Sequence, residues 1–315
     1  MMFAWHDHLA SSRLGRLAAP TVVGLVTLAL GAWQPAAAQT VSQRSRVASR
    51  ADVGAPRAGG DRPHVVTVVT RDFAFEMPDT VPEGVTTFRL RNAGREPHHL
   101  MLYRLAAGRG MADVLAALRA GGAHPRWMQA VGGPNSVVGA MESVGTVRLG
   151  SGRYVAFCHV PSPDKVLHFE KGMLKLITVT PAHSAHLAAV GPGTRLPAAD
   201  LVITLSDYAF HFSRAPKRGN QRIAITNRGR QPHELILSRL APGKTSADFV
   251  RWIDTQKGAP PVEPYGGATD LSPGGTIVLD VDLAPGRYSA ICRVRDTGDG
   301  QPHDRHGMTL DFVVP

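Results

Sequence analysis

Gly152-Arg-Tyr-Val-Ala-Phe-Cys158, followed by His168 and Gly172-Met173, recurs as Gly286-Arg-Tyr-Ser-Ala-Ile-Cys292, followed by His303 and Gly307-Met308. Each copy is an apolar, aromatic-rich run of the kind that forms a strand, and it ends in a thiol. An imidazole and a thioether follow after one loop. A strand, a loop and the start of the next strand therefore gather three soft donors in a short length of chain.

The repetition extends upstream. Displacing the chain by 135 residues lays 72–108 on 207–243 without a gap, with 15 of 37 positions identical, among them Asn92 with Asn227, Gly94 with Gly229, Pro97 with Pro232 and His98 with His233. The offset becomes 134 at Cys158 and Cys292, then returns to 135 at His168 with His303 and at Met173 with Met308. Duplication accounts for there being two cysteines. Although two cysteines in one chain invite a disulfide where the compartment is oxidising, each thiol is expected to serve its own repeat.

Within a repeat the apolar pattern is mostly of period two. Val65–Val69, Asp72–Phe75, Thr86–Arg91 and Leu100–Tyr103 are expected strands, and Met111–Arg119 has helical spacing. Thr146–Leu149 and Tyr154–Cys158 are expected to form a hairpin through Gly150-Ser-Gly152, with Leu174–Val179 as the closing strand. Repeats of about 115 residues with roughly seven short strands predict an all-β chain of two tandem Greek-key β-sandwiches, each with a short inserted helix. They are too long for solenoid units. The low aromatic share, 6%, and the 33 Gly and 24 Pro suit such a turn-rich chain.

Domain boundaries follow from composition. Arg13 and Arg16 precede an apolar run from Leu17 to Trp33, interrupted by Pro20 and followed by Ala36-Ala-Ala38. Residues 1–38 thus read as a signal peptide, which predicts a secreted or periplasmic protein without a membrane span after cleavage; an uncleaved anchor is the alternative. Residues 39–63 are expected to be a flexible leader, 64–181 the first domain, 182–198 a linker and 199–315 the second domain. The formal net charge is +10, which favours an acidic protein partner. No phosphate-binding loop, nucleic-acid motif or Ser/His/Asp set is recognisable, and the oligomeric state is left open.

Four residue types survive the comparison of the repeats and could converge in each: His98, Cys158, His168 and Met173, then His233, Cys292, His303 and Met308. Two imidazoles and a thiolate with a weak axial thioether are the donor set of electron-transfer copper sites, and zinc could take three of the four. The order of these residues, with a His after an Asn-x-Gly turn and a Cys closing a late strand, resembles the cupredoxins, the type 1 blue copper proteins. The resemblance implies at most one copper per domain held by those eight residues, and one-electron transfer or copper handling with an acidic redox or copper-exchange partner.

The chain departs from that family in two places. Nine residues separate Cys158 from His168 and ten separate Cys292 from His303, where the family usually has two to four. His99 and Glu234 stand where an Asn is common. Multicopper oxidases need paired His-x-His, which the chain beyond residue 38 lacks, and nitrite reductases want a His before the Cys, where Phe157 and Ile291 stand. The chain is therefore expected not to be an enzyme; a metal-free binding module of the same fold is the alternative to copper. Among the other histidines, His99 and His159 should point away from the site, His306 is a loop residue or weak alternative ligand, and His124, His183, His186 and His211 are expected in solvent.

Overall fold

Alternating buried and exposed positions build most of the strands. In the first repeat these are β1 (His64–Arg71), β2 (Ala74–Glu76), β3 (Thr80–Pro82), β4 (Gly84–Asn92), β5 (Met101–Leu105), β6 (Met128–Ala130), β7 (Glu142–Leu149), β8 (Gly152–Phe157) and β9 (Leu174–Thr180), with helix α1 (Met111–Ala120) between β5 and β6. In β1, Val66 and Val68 turn inward while Val65 and Thr67 face out. The second repeat supplies β10 (Leu201–Ser206), β11 (Ala209–Phe212), β12 (Gly219–Asn227), β13 (His233–Leu240), helix α2 (Ser246–Thr255), β14 (Val262–Leu271), β15 (Thr276–Leu283), β16 (Gly286–Ile291) and β17 (Thr309–Val314). This computed structural model describes residues 63–181 and 195–315. The expected signal peptide, nearly all of the leader, most of the linker, and His183 and His186 lie outside the described residues. No helix among those described is long and apolar enough to cross a membrane.

Each repeat is a two-layer sandwich. In the first, β2-β1-β4-β7 faces β3-β9-β8-β5-β6; in the second, β11-β10-β12-β15 faces β14-β13-β16-β17. The expected fold class, all-β with one short helix inserted per repeat, describes this arrangement. The expected hairpin between residues 146–149 and 154–158 does not form. β7 pairs with β4, and β8 pairs with β5 and β9, so the chain crosses from one layer to the other at Gly150-Ser151. The reason is burial: Val147 and Leu149 on β7 and Tyr154 and Ala156 on β8 enter one core from opposite sheets, which a flat hairpin would prevent.

The two sandwiches are joined more closely than separate domains on a linker. β7 pairs antiparallel with β15, placing Thr146 opposite Val278 and Val144 opposite Asp280, so the front layers merge into one eight-stranded sheet. The second layers meet too, through bridges of Val131 to Leu271 and Pro134 to Ala268. Asn135 donates through Nδ2 to Leu235 O (3.3 Å), Ala268 O (3.2 Å) and Glu234 Oε2 (3.3 Å), and the Tyr103 hydroxyl donates to the buried Asp270 carboxylate. One core cluster runs through both repeats. The helices cover the outer faces, α1 seating Val114 and Leu118 against Phe157, and α2 seating Phe249 and Val250 against Ile291.

Candidate metal centres

Both clusters are assembled at equivalent ends of their sandwiches by the same local devices. Asn92 closes the turn after β4: its side-chain oxygen accepts from Gly94 N–H (2.8 Å), and its Nδ2 donates to Glu96 O (2.7 Å) and Val137 O (2.9 Å). Asn227 repeats this with Gly229, Gln231 and Leu271. The turn delivers His98, which pairs through its main chain with Val137, and His233 at the first position of β13. Gly94 is required for space and not for its backbone angle, since a Cβ there would overlap the Asp72 carboxylate and stand 2.8 Å from His98 Nε2. Gly229 meets Asp207 and His233 in the same way.

Each cysteine follows directly on its strand, β8 or β16, and is fully buried. The long loops that follow fold as small hairpins. In the first, Pro161 bridges Leu167, Ser162 N–H donates to Val166 O (2.9 Å) and His168 N–H to Val160 O (2.9 Å). In the second, Arg295 bridges Pro302, Asp296 N–H donates to Gln301 O (2.8 Å) and His303 N–H to Val294 O (3.0 Å). Because the excursion pairs with itself, its length does not matter, and the imidazole returns beside the sulfur. The methionine main chains finish the turn: Met173 N–H donates to His168 O (2.9 Å) and Cys158 N–H to Met173 O (3.1 Å), with Met308, His303 and Cys292 in the same pattern. Both methionine side chains are fully buried, in the cluster that also holds the cysteines.

The structure thus brings together His98, Cys158 and His168, and separately His233, Cys292 and His303. His98 Nδ1 stands 3.1 Å from His168 Nδ1, and Cys158 Sγ stands 3.4 Å from His168 Nδ1. In the second cluster the Nδ1 atoms are 2.9 Å apart, and Cys292 Sγ is 3.9 Å from His233 Nδ1 and 3.4 Å from His303 Nδ1. All six side chains are buried.

The outer nitrogens settle the tautomers. His98 Nε2–H donates to Asp72 Oδ1 (2.8 Å), His168 Nε2–H to Glu96 Oε2 (2.9 Å), and His233 Nε2–H to Asp207 Oδ1 (2.9 Å). A carboxylate only accepts, so in each of these rings the proton is on Nε2 and the Nδ1 lone pair faces inward. Burial holds His98, His168 and His233 below the usual histidine value, with their carboxylate partners opposing in part. His303, also affected by His233, falls to about 4. Burial pushes the Cys158 thiol up to about 12, and burial together with Glu234 raises Cys292 well above its ordinary value. Asp72 is lowered: burial raises it, but Arg95 N–H, the His98 ring and Glu96 N–H outweigh that.

Two neutral imidazoles with opposed lone pairs about 3 Å apart repel unless a cation lies between them. Metal–nitrogen bonds of about 2.0 Å and metal–sulfur bonds of about 2.3 Å, at angles of roughly 100–120°, give edges of roughly 3.1–3.6 Å between nitrogens and 3.3–3.8 Å from nitrogen to sulfur. The observed edges are close to these. Carboxylates on the outer nitrogens are the usual support for metal-binding histidines. The two-nitrogen, one-sulfur donor set fits copper, and the main chain of a buried methionine closes each site's loop.

Sequence reasoning missed these carboxylates. Asp72 and Asp207 were visible, being identical across the repeat, whereas Glu96 aligns with Gln231 and left no signal. His99 is buried with its Nε2 accepting from His159 N–H (2.7 Å), and it is not one of the grouped donors. His124, expected in solvent, instead packs its ring against Tyr103 (5.0 Å) and Phe157 (6.0 Å). His306 faces Tyr208 and bonds Asp299 at 3.3 Å; it belongs to a separate group with Asp296 and Asp299.

No protein-family profile and no curated protein matches the chain. Among solved structures it is similar to a dithionite-reduced auracyanin from Roseiflexus castenholzii, at 21% identity and TM-score 0.28, over 39% of this chain and all of that one. It is also similar to a Cu-containing nitrite reductase from Thermus scotoductus, at 14% identity and TM-score 0.22, over 81% of this chain and 62% of that one. A blue copper oxidase from Nitrosomonas europaea matches at 13% identity and TM-score 0.23, over 80% and 86% of the two chains. Scores this low transfer no residue role. They do stand against one expectation, that the chain is not an enzyme: the structures similar to it include a nitrite reductase and an oxidase, which are enzymes. The strand order and the paired donor clusters make the described chain two cupredoxin-like β-sandwiches in tandem.

Proposed function

We propose that the protein binds one copper ion per repeat, at His98, Cys158 and His168 with Met173, and at His233, Cys292 and His303 with Met308, and serves one-electron transfer or copper handling outside the cytoplasm. The observation that carries this reading is the pair of opposed Nδ1 atoms, 3.1 Å and 2.9 Å apart, beside a buried sulfur. Copper, when bound, supplies a one-electron couple between its cupric and cuprous states.

The chain's residues prepare that couple. Asp72 and Asp207 hold the Nε2 proton of His98 and His233 and keep Nδ1 free to act as a donor. The thiols, protonated in the metal-free protein because burial raises them, give up their proton when a cation takes the sulfur, so binding releases protons and tightens as pH rises. The self-paired loops and the shared core keep the donors in place in either charge state, and burial excludes water from them. The basic net charge of +10 suits an acidic partner protein, whose encounter it would accelerate at low salt. The N-terminal Arg residues and apolar run of the sequence support export.

The protein from residue 39 onward, given copper(II), should develop the intense visible band of thiolate-to-copper charge transfer. Cys158→Ser and Cys292→Ser should each remove the contribution of one site, and the double variant should be colourless. A wild-type protein that stays colourless and retains no copper after desalting overturns the reading. Reversible voltammetry of the bound metal supports electron transfer, and prompt loss to a chelator supports copper handling.

A further inference from the structure

The two clusters are copies of one design, and they differ at one supporting position. In the first repeat Glu96 reaches the outer nitrogen of His168 at 2.9 Å. The equivalent residue in the second repeat is Gln231, which is occupied elsewhere: its Nε2 donates to Asp296 Oδ2 (2.7 Å) and the Tyr208 hydroxyl (3.2 Å), and its Oε1 accepts from Thr297 N–H (2.9 Å). Gln231 therefore ties down the longer loop, and His303 Nε2 is left buried without a hydrogen-bond partner. The nearest carboxylate, Asp296, is 3.8 Å away and already accepts four hydrogen bonds.

We infer that the two metal sites are not equivalent, and that the Glu96/Gln231 pair sets them apart, the first repeat favouring cupric copper and the second favouring cuprous copper. The inference rests on the copper reading above. A carboxylate on the outer nitrogen makes an imidazole a stronger donor, and a stronger donor stabilises the more highly charged metal state. The first site has two such carboxylates, Asp72 and Glu96; the second has one, Asp207. On reduction by an external one-electron donor, the second site takes the electron first. His99 and Glu234, which also differ between the repeats, flank the ligands His98 and His233. The test leaves both unchanged.

Cys292→Ser and Cys158→Ser isolate the first and second sites, and each site's midpoint potential is read from its visible band in a redox titration with ascorbate and ferricyanide as the electron donor and acceptor. The first site should have the lower potential. Glu96→Gln should raise it by about 59 mV, a roughly tenfold fall in the cupric/cuprous ratio at a fixed ambient potential for one electron, and Gln231→Glu should lower the second. In metal-free protein, ring nitrogen NMR should show His168 in the Nε2–H tautomer, with that signal moved by Glu96→Gln, a readout independent of copper. A visible band whose midpoint does not move in either variant overturns this inference alone. Absence of any band overturns the copper reading and this inference with it.

Discussion

Replacing Gly94 with Ala tests whether the carboxylate behind His98 matters, because it strikes the Asp72–His98 contact without replacing a donor. Gly94 lies outside the left-handed backbone region, so Ala is conformationally acceptable and the only obstacle is space. The new methyl group would overlap Asp72 and stand 2.8 Å from His98 Nε2, against an ordinary contact near 3.5–4.0 Å. Either the Asp72 carboxylate or the His98 ring must move. Overpacking of this kind costs about 1–3 kcal/mol, and losing a charged hydrogen bond costs about 1.5–3 kcal/mol. Loss of a supporting partner lowers metal affinity by roughly 10–100-fold. In a Cys292→Ser background, a copper titration followed by the visible band should show that loss, with the folded protein otherwise intact by circular dichroism. Gly229→Ala in a Cys158→Ser background should reproduce it at the second site. Unchanged copper affinity in both variants would refute the reasoning, since it would mean that the carboxylate–imidazole contact gives the site nothing.

Two further predictions concern the metal-free protein. Because His98, His168, His233 and His303 are all held below the usual value of 6.5 by burial, the unfolded chain takes up protons that the folded chain refuses; stability is full above pH 6.5 and declines as pH falls toward 4. His303 alone, lowered to about 4, accounts for roughly 3 kcal/mol of that decline; urea midpoints at pH 7 and pH 5 should differ in this direction, and His303→Gln should shrink the difference. Because β7 pairs with β15 and the core is continuous, denaturant should unfold both repeats in one transition, and Asn135→Ala, which removes its hydrogen bonds to the second repeat, should lower the stability by about 1–3 kcal/mol, read as a fall in the common midpoint. Two separated transitions would contradict the shared sheet.

Much of the donor set could be read directly, since duplication filtered it. A residue type that recurs in the same order after two copies have diverged at most positions is held by something, and His, Cys, His and Met are chemically distinctive. The supporting carboxylates were harder. Asp72 was identical in both copies but stood in an expected strand, Asp72–Phe75, with nothing to mark it as a partner of His98, and Glu96 gave no repeat signal because its counterpart has taken a different partner. The assumed hairpin at Gly150-Ser-Gly152 failed because a short glycine-containing connection serves equally well for a strand pair and for a crossing between layers. Only the opposite core faces of β7 and β8 decide between them.

What the amino-acid order determined by itself is local: the strand periodicity, the Asn-x-Gly turns, the duplication, and which atoms are available as donors. The tertiary structure decided everything that joins distant residues. It returned His168 and His303 to the sulfurs through loops that pair with themselves, it merged two sandwiches through β7 and β15, and it brought Glu96 to His168 across 72 residues of chain. Such contacts depend on the shape of the folded core and not on spacing along the chain. For that reason the Gly-Arg-Tyr to Gly-Met stretch names the donors, while Asp72, Glu96 and Asp207, reached only through folding, set the protonation of the rings that carry them.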